Sequence, residues 1–308
     1  MNGTAWRAYA ANALSGGGWL LLPALVLLAF ALAVPKLPVT RDAYDHVVIF
    51  DVSQSMNVED YQLDGAPVSR LAFAKHAVAE ALKNPRCDTR IGWGVFAGRK
   101  IVMLLAPVEV CRNYSALLAA LDNIDGRMAF ERSSEIQEGL FWTLLNVRDL
   151  KPTPSVVFMT DGHEAPPLPP QRVRGYDGQL GEVRGWVVGV GTLEPRPIPK
   201  TDPDGKRIGF WRATEVLQYG GAIDGTSHEH LSELREDHLK LLAKTVGFGY
   251  TRLVSPASLD AAFHDRALAH PAKVETDLRW IPGGLALLLL AWRFRPDGLR
   301  RRRASAAR

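Results

Sequence analysis

Between residues 46 and 254 the chain alternates short β-branched, apolar runs with longer stretches of helical periodicity. HVVIF (46–50), RIGWGVFAG (90–98), IVMLLAPV (101–108), PSVVFMTDG (154–162), VRGWVVGVGT (183–192) and GYTRLV (249–254) read as strands. RLAFAKHAVAEALKN (70–84), NYSALLAALDNI (113–124), SSEIQEGLFWTLLNV (133–147) and EDHLKLLAKTV (236–246) read as helices. Several strand runs are continuously apolar instead of alternating, the mark of strands covered on both faces. The expected fold is therefore α/β, a doubly wound, mainly parallel central sheet with helices on both faces.

Two apolar segments flank this region. WLLLPALVLLAFALAV (19–34) follows an 18-residue lead whose only charged side chain is Arg7, and WIPGGLALLLLAW (280–292) is bracketed by tryptophans and followed by arginines. Both are somewhat short of the roughly 20 apolar residues that span a bilayer. Two readings of the first stand, a membrane helix over 19–35 or a signal sequence with a small-x-small site at Ala31-Leu32-Ala33. Two also stand for the second, a membrane helix over 280–294 or a buried core helix. In the membrane reading the arginines hold the 295–308 tail in the cytoplasm and place the middle domain, about 44–265, in the periplasm of the inner (cytoplasmic) membrane.

Charge changes the picture only at the C-terminus. The 308 residues carry a formal +4, but Arg293, Arg295, Arg300, Arg301, Arg302, Arg303 and Arg308 against Asp297 contribute +6, leaving about −2 elsewhere. The basicity is a terminal patch rather than a basic face, so nucleic acid is not an expected partner. Cys87 and Cys111 are the two cysteines. In an oxidising compartment they either form a disulfide or stay as unpaired buried residues, and two thiols alone do not make a zinc site.

The chemistry gathers where strands end. HVVIF runs into Asp51-Val52-Ser53-Gln54-Ser55, a D-x-S-x-S that sets one carboxylate and two hydroxyls at alternate positions of a loop leaving the strand. SVVFMT likewise ends in Asp161-Gly162. Ligands of such sheets bind outside the carboxyl ends of the strands, and two acids brought together there call for a cation. Oxygen-only ligands select a hard ion, Mg²⁺ first and Mn²⁺ or Ca²⁺ next.

D-x-S-x-S after a first strand, a later hydroxyl before a helix and a strand ending T-D-G together resemble the von Willebrand factor A (vWA) domain, over roughly 44–265. The resemblance implies a metal-ion-dependent adhesion site (MIDAS), with Asp51, Ser53, Ser55 and Asp161 as ligands. The intermediate ligand, usually threonine, falls on Ser134 in RSSEIQEGL, with Ser133 as its neighbour. Within that family the flanking segments and DVSQSMNVEDY resemble bacterial membrane-anchored members encoded with MoxR-type ATPases, the Bat proteins among them. LLAPVEVC (104–111), IDGRMAFERSSEI (124–136) and DGKRIGFW (204–211) are most similar to the MxaL type of methanol dehydrogenase maturation clusters. That implies help in assembling or activating a periplasmic calcium- and quinone-dependent dehydrogenase, through a partner protein that offers a carboxylate to the ion. The rival reading is a degenerate scaffold with metal-independent binding.

Other motifs carry less. SHEHLSELREDH has Ser232 where a zinc-binding HExxH needs histidine, so His228, His230 and His238 read as the polar face of a helix and its approach, and Asp224 has no partner set. Arg127, Glu131 and Arg132 read as solvated surface or as neighbours of the ion. EAPPLPPQ (164–171) is a stiff connector on the rim, and TDPDGKR within 193–226 signals a hairpin excursion. A phosphatase-type aspartyl nucleophile would want an acid where Ser53 stands, and there is neither a Walker loop nor a nucleophile elbow. The expected protein is not an enzyme.

Overall fold

The computed structural model describes residues 18–33, 37–83, 87–168, 173–218 and 228–294. The N-terminal lead, the Arg-rich tail, Asp224 and the end of the Pro-rich loop lie outside the described residues. Two compact units are present, one formed by residues 42–270 and the other by the two ends of the chain.

The larger unit is built on a sheet in the order β12-β7-β6-β1-β4-β5, with β13 also pairing β1. Its strands are β1 (Leu37–Asp51), β4 (Thr89–Ala97), β5 (Lys100–Glu109), β6 (Ser155–Thr160), β7 (Gly185–Gly189) and β12 (Gly249–Arg252), and β13 spans His270–Thr276. Pairings β1–β4, β1–β6, β6–β7 and β7–β12 are parallel, and the edge strand β5 runs antiparallel to its neighbour β4. Short pairs lie outside this sheet: β2 (Tyr61–Leu63) with β3 (Ala66–Val68), β8 (Arg196–Pro197) with β11 (Leu231–Ser232), and β9 (Pro199–Thr201) with β10 (Arg207–Phe210).

Helices cover both faces because β1 is apolar on both. Val48 and Phe50 point into a core filled by Leu71 and Phe73 of α2 (Arg70–Ala81), Leu117 and Leu121 of α3 (Val110–Asp122) and Phe263 of α6 (Asp260–Phe263). Val47 and Ile49 point the other way, into Leu140 and Leu144 of α4 (Ile136–Val147) and Leu239 and Leu242 of α5 (Glu236–Val246). The two-residue side-chain period of a strand is thus read out as two separate cores. This is the α/β, mainly parallel sheet expected from the continuous apolar runs.

Cys87 and Cys111 are joined by a disulfide with Cα atoms 5.1 Å apart, tying the approach to β4 to the first turn of α3. The only cluster of His, Cys, Asp and Glu groups spaced for a metal among the described residues is these two cysteines with Glu109, and the disulfide removes both thiolates from it.

In the second unit α1 (Leu21–Ala33) packs on α7 (Trp280–Arg293). Ala24, Pro282 and Ala286 are buried, while Leu22, Leu25, Phe30, Leu32, Leu287, Leu288 and Trp292 are exposed. The expected membrane helices are helical but short: 13 and 14 residues reach about 20 Å at 1.5 Å per residue against a hydrocarbon core of about 30 Å. Among the described residues no helix is long and apolar enough to cross a membrane.

Candidate metal-binding site

β1 and β6 are in a register that pairs Phe50 with Met159, which sets Asp51 beside Thr160 at the carboxyl edge of the sheet. Thr160 Oγ1 donates to Asp51 Oδ2 at 2.6 Å, and the Ser53 amide donates to Asp51 Oδ1 at 2.8 Å. A 3-10 turn over Gln54–Asn57 then folds the loop back, so that Ser53 Oγ and Ser55 Oγ lie 3.2 Å apart. Asp51, Ser53 and Ser55 are all buried.

Ser134 reaches the same edge from elsewhere in the chain. It bridges Gly98, just past β4, and Ala165, just past Asp161, through backbone pairing on both sides. Its hydroxyl is buried and, among the described residues, has no hydrogen-bond partner. A buried hydroxyl left unpaired costs about 1–3 kcal/mol, so it marks a place where a ligand would be expected. Glu164 fixes this corner, accepting from the Ile136 and Gln137 amides at the start of α4 and pairing with His238 at 3.1 Å.

Asp161 follows β6, and Gly162 behind it has φ +81°, where a Cβ would meet Arg235 and Leu239 at 3.0 Å. Its carboxylate is already engaged by protein donors: Oδ1 accepts from the His163 amide at 3.0 Å, and Oδ2 accepts from Arg70 Nη1 at 2.7 Å and from Ser232 Oγ at 3.0 Å. Oδ2 is thus taken up by Arg70 and Ser232, while Oδ1 accepts one amide and keeps a lone pair.

Arg70 is the residue that periodicity missed. Its side chain is fully buried and forks between Asp161 and Asp60, the latter accepting from Nε at 3.0 Å and Nη2 at 2.7 Å. Two more bonds go to Ser232, one to Oγ and one to the carbonyl. Of the two acids expected to need a cation, Asp161 thus has a protein cation already, shared with Asp60, while Asp51 has none among the described residues. The sequence did hold one signal: Arg70 opens α2 behind the N-cap Ser69, an end where the helix dipole disfavours positive charge unless acids face it. Ser232, noted only for breaking a zinc motif, is the second partner missed.

The two acids consequently differ. Burial alone would raise Asp161, but the Arg70 guanidinium, with help from His163, holds it below the usual carboxylate range. Burial and the Asp161 charge push Asp51 up to about 7, against the weaker help of Thr160 and Ser53. A carboxyl whose ionisation burial and a neighbouring acid oppose, three hydroxyls at the same edge and one of them orphaned among the described residues form a donor set that suits a hard divalent ion.

Of the remaining candidates, Arg127 is exposed and held by Asp125 at 2.6 Å, and the Glu131 carboxylate approaches Ser133 Oγ at 3.4 Å rather than a ligand. His228 and His230 precede α5, their rings edge to face at 6.1 Å, and only His238 lies in the helix.

Residues 46–163 match the family model described as von Willebrand factor type A domain. Comparison with the curated proteins finds no sequence match. Among solved structures the chain is similar to an aerotolerance-related membrane protein from Bacteroides fragilis, at 20% identity and TM-score 0.51, over 73% of this chain and 98% of that one. It is similar too to BatB from Bacteroides thetaiotaomicron, at 21% identity and TM-score 0.50, over 71% and 95%. At such identities the likeness speaks for the fold alone, so the sheet order, the match over residues 46–163 and these structures together support a von Willebrand factor A-like fold.

Proposed function

We propose that Asp51, Ser53, Ser55, Ser134 and Asp161 hold a divalent cation, Mg²⁺ first, and that the ion's open position accepts a carboxylate from a partner protein. The observation that carries this reading is the buried Ser134 hydroxyl, unpartnered among the described residues, at the sheet edge where Asp51, Ser53 and Ser55 gather. The ion would supply a coordination point for an anionic side chain, and no catalytic base stands beside it in this reading. Titrating Mn²⁺ into the protein and following its paramagnetic signal tests the site: the wild type binds one ion and Asp51→Ala binds none. Wild-type protein that takes up no Mn²⁺ or Mg²⁺ would sink the proposal.

The same reading places the protein at the inner membrane. Support comes from the broad exposed apolar surface of the α1–α7 pair and from the disulfide, which suits an oxidising compartment. The stretches 104–111, 124–136 and 204–211 narrow it to an MxaL-like role in maturing a periplasmic dehydrogenase beside a MoxR-type ATPase system. Reporter fusions after Arg308 and within the central domain test the topology, and a cytoplasmic domain would remove this role.

One observation favours a second reading, a scaffold that binds partners without metal. Arg70 already neutralises Asp161, so the cluster tolerates an empty ion position better than two bare acids would. Chelation separates the two, because scaffold binding would persist in EDTA.

A further inference from the structure

The excursion signalled by TDPDGKR forms the β9–β10 hairpin, and this hairpin is fastened to the ion loop. Gln54, the residue between Ser53 and Ser55, donates through Nε2 to Thr201 Oγ1 at 3.1 Å and accepts from Trp211 Nε1 at 3.3 Å. Lys200 lies 4.5 Å from the centroid of the Trp211 ring, and Arg207 pairs with Glu59 at 3.2 Å, two residues beyond the turn. One side chain of the loop thus has both its amide atoms taken by the excursion, although roughly 150 residues of chain lie between them. A glutamine on a solvated turn has no need of such partners, since water would satisfy it equally.

The hairpin also walls a cleft. Its tip approaches a turn formed by residues 124–128 so closely that a Cβ on Gly205 would lie 3.2 Å from Arg127, and a Cβ on Gly126 would lie 3.3 Å from Asn57 at the end of the ion loop. Between the three segments is a cavity of about 350 Å³ lined by Asn57, Ser69, Lys75, Arg127, Thr201 and Asp204, among others. Its charges are unevenly committed. Lys75 donates to the Asp122 and Ile124 carbonyls, and Arg127 is held by Asp125. Asp204 is exposed and, among the described residues, enters no ion pair within 4.0 Å, although its charge, like that of Asp125, acts on Arg127. Ion loop and cleft share Asn57 and, through Gln54, Thr201, so a chain that gives its carboxylate to the ion has this cleft as its neighbouring groove.

We propose that the β9–β10 hairpin is the specificity arm of the ion site: it grips the serine loop through Gln54, and its cleft takes the residues flanking the ion-bound carboxylate of an extended partner segment, with Asp204 favouring a basic side chain there. This rests on the ion-dependent reading above and adds the kind of partner that reading leaves open, an acidic residue with a basic one close by in extended chain. An extended segment is the fitting occupant because the cleft is a concave groove with a mixed lining, Leu71 and Ile124 beside Asn57, Thr201 and Asp204, rather than a flat apolar face.

The test uses the full chain in detergent, Mg²⁺ and a library of blocked peptides with one fixed Asp between randomised positions. Wild-type protein is expected to require the fixed Asp and to enrich Lys or Arg beside it by about tenfold, the scale of one well-placed charge contact. Asp204→Ala is expected to keep Mn²⁺ uptake and the Asp requirement while losing the basic preference, and Asp204→Glu to restore it. Trp211→Phe, which removes the donor to Gln54 along with part of the ring under Lys200, should weaken Mn²⁺ uptake severalfold. Since Asp204 is an exposed tip residue, its variants test the cleft even where Trp211→Phe fails to fold. Unchanged peptide preference in Asp204→Ala overturns the arm while leaving the ion site standing. Peptide capture that is the same in Asp51→Ala and in EDTA overturns the ion reading and the arm together.

Discussion

The guanidinium of Arg70 and the carboxylate of Asp161 meet at 2.7 Å with neither side chain reaching solvent, from positions 91 residues apart. The pair links the start of α2 to the end of β6 and, through Asp60, to the loop after the ion turn, where Asp60 also accepts from the Thr192 amide and hydroxyl.

Removing Arg70 leaves two buried acids uncompensated. Arg70→Met is expected to cost about 3–5 kcal/mol of stability, since breaking a buried pair strands the partner charge. Urea unfolding measures the loss. Arg70→Lys should recover only part of it, because a single ammonium cannot bridge Asp60, Asp161 and Ser232 as the fork does.

Ser134→Ala separates ion binding from folding. The unpartnered hydroxyl contributes nothing to the metal-free domain, so that form should be unchanged or up to about 1 kcal/mol more stable. Mn²⁺ affinity should fall. A matched loss of both affinity and metal-free stability would show that the hydroxyl has a structural partner instead.

Asp51→Asn follows the same logic with charge. Because burial and Asp161 disfavour the Asp51 anion, the neutral amide should leave the metal-free domain at least as stable above pH 7 while abolishing ion uptake. Thermal unfolding with and without Mg²⁺ reads both effects, and the Mg²⁺-dependent rise in Tm should vanish in the variant.

Acid should act through His46, far from the ion site. Burial drops its pKa to about 4, opposed by the Phe263 carbonyl and assisted by the charges of His264 and His270. Nε2 donates to that carbonyl at 3.0 Å, which leaves Nδ1 of the neutral ring as an acceptor 2.6 Å from Ser155 Oγ, whose single proton it shares with the Asp45 carbonyl at 3.1 Å. The unfolded chain protonates this histidine below about 6.5 and the folded one only below about 4. Stability is therefore complete above pH 6.5 and falls as pH drops to 4, by about 3 kcal/mol in all. His46→Gln should flatten that part of the pH profile in thermal unfolding.

Reducing the Cys87–Cys111 disulfide frees a loop whose ends are 24 residues apart. Chain entropy sets the expected loss at roughly 3–4 kcal/mol. Unfolding with and without dithiothreitol measures it, and Cys87→Ser with Cys111→Ser should match the reduced protein.

Local order was legible because it is written in local periodicity. Continuous apolar runs foretold β1, β4, β6 and β7 with helices on both faces, and a carboxylate at the end of two of those strands foretold Asp51 and Asp161 at one sheet edge. What the sequence could not state is which distant groups would meet. Arg70 reads as an ordinary first-turn residue until the fold brings Asp60, Asp161 and Ser232 around it. Gln54 reads as a spacer between two serines until the excursion near residue 200 closes on it. Periodicity fixes the face a side chain occupies, since that depends on neighbours a few bonds away. Its partners depend on the sheet order that sets β6 beside β1 and on the loops that cross above both, and only the tertiary structure decides those.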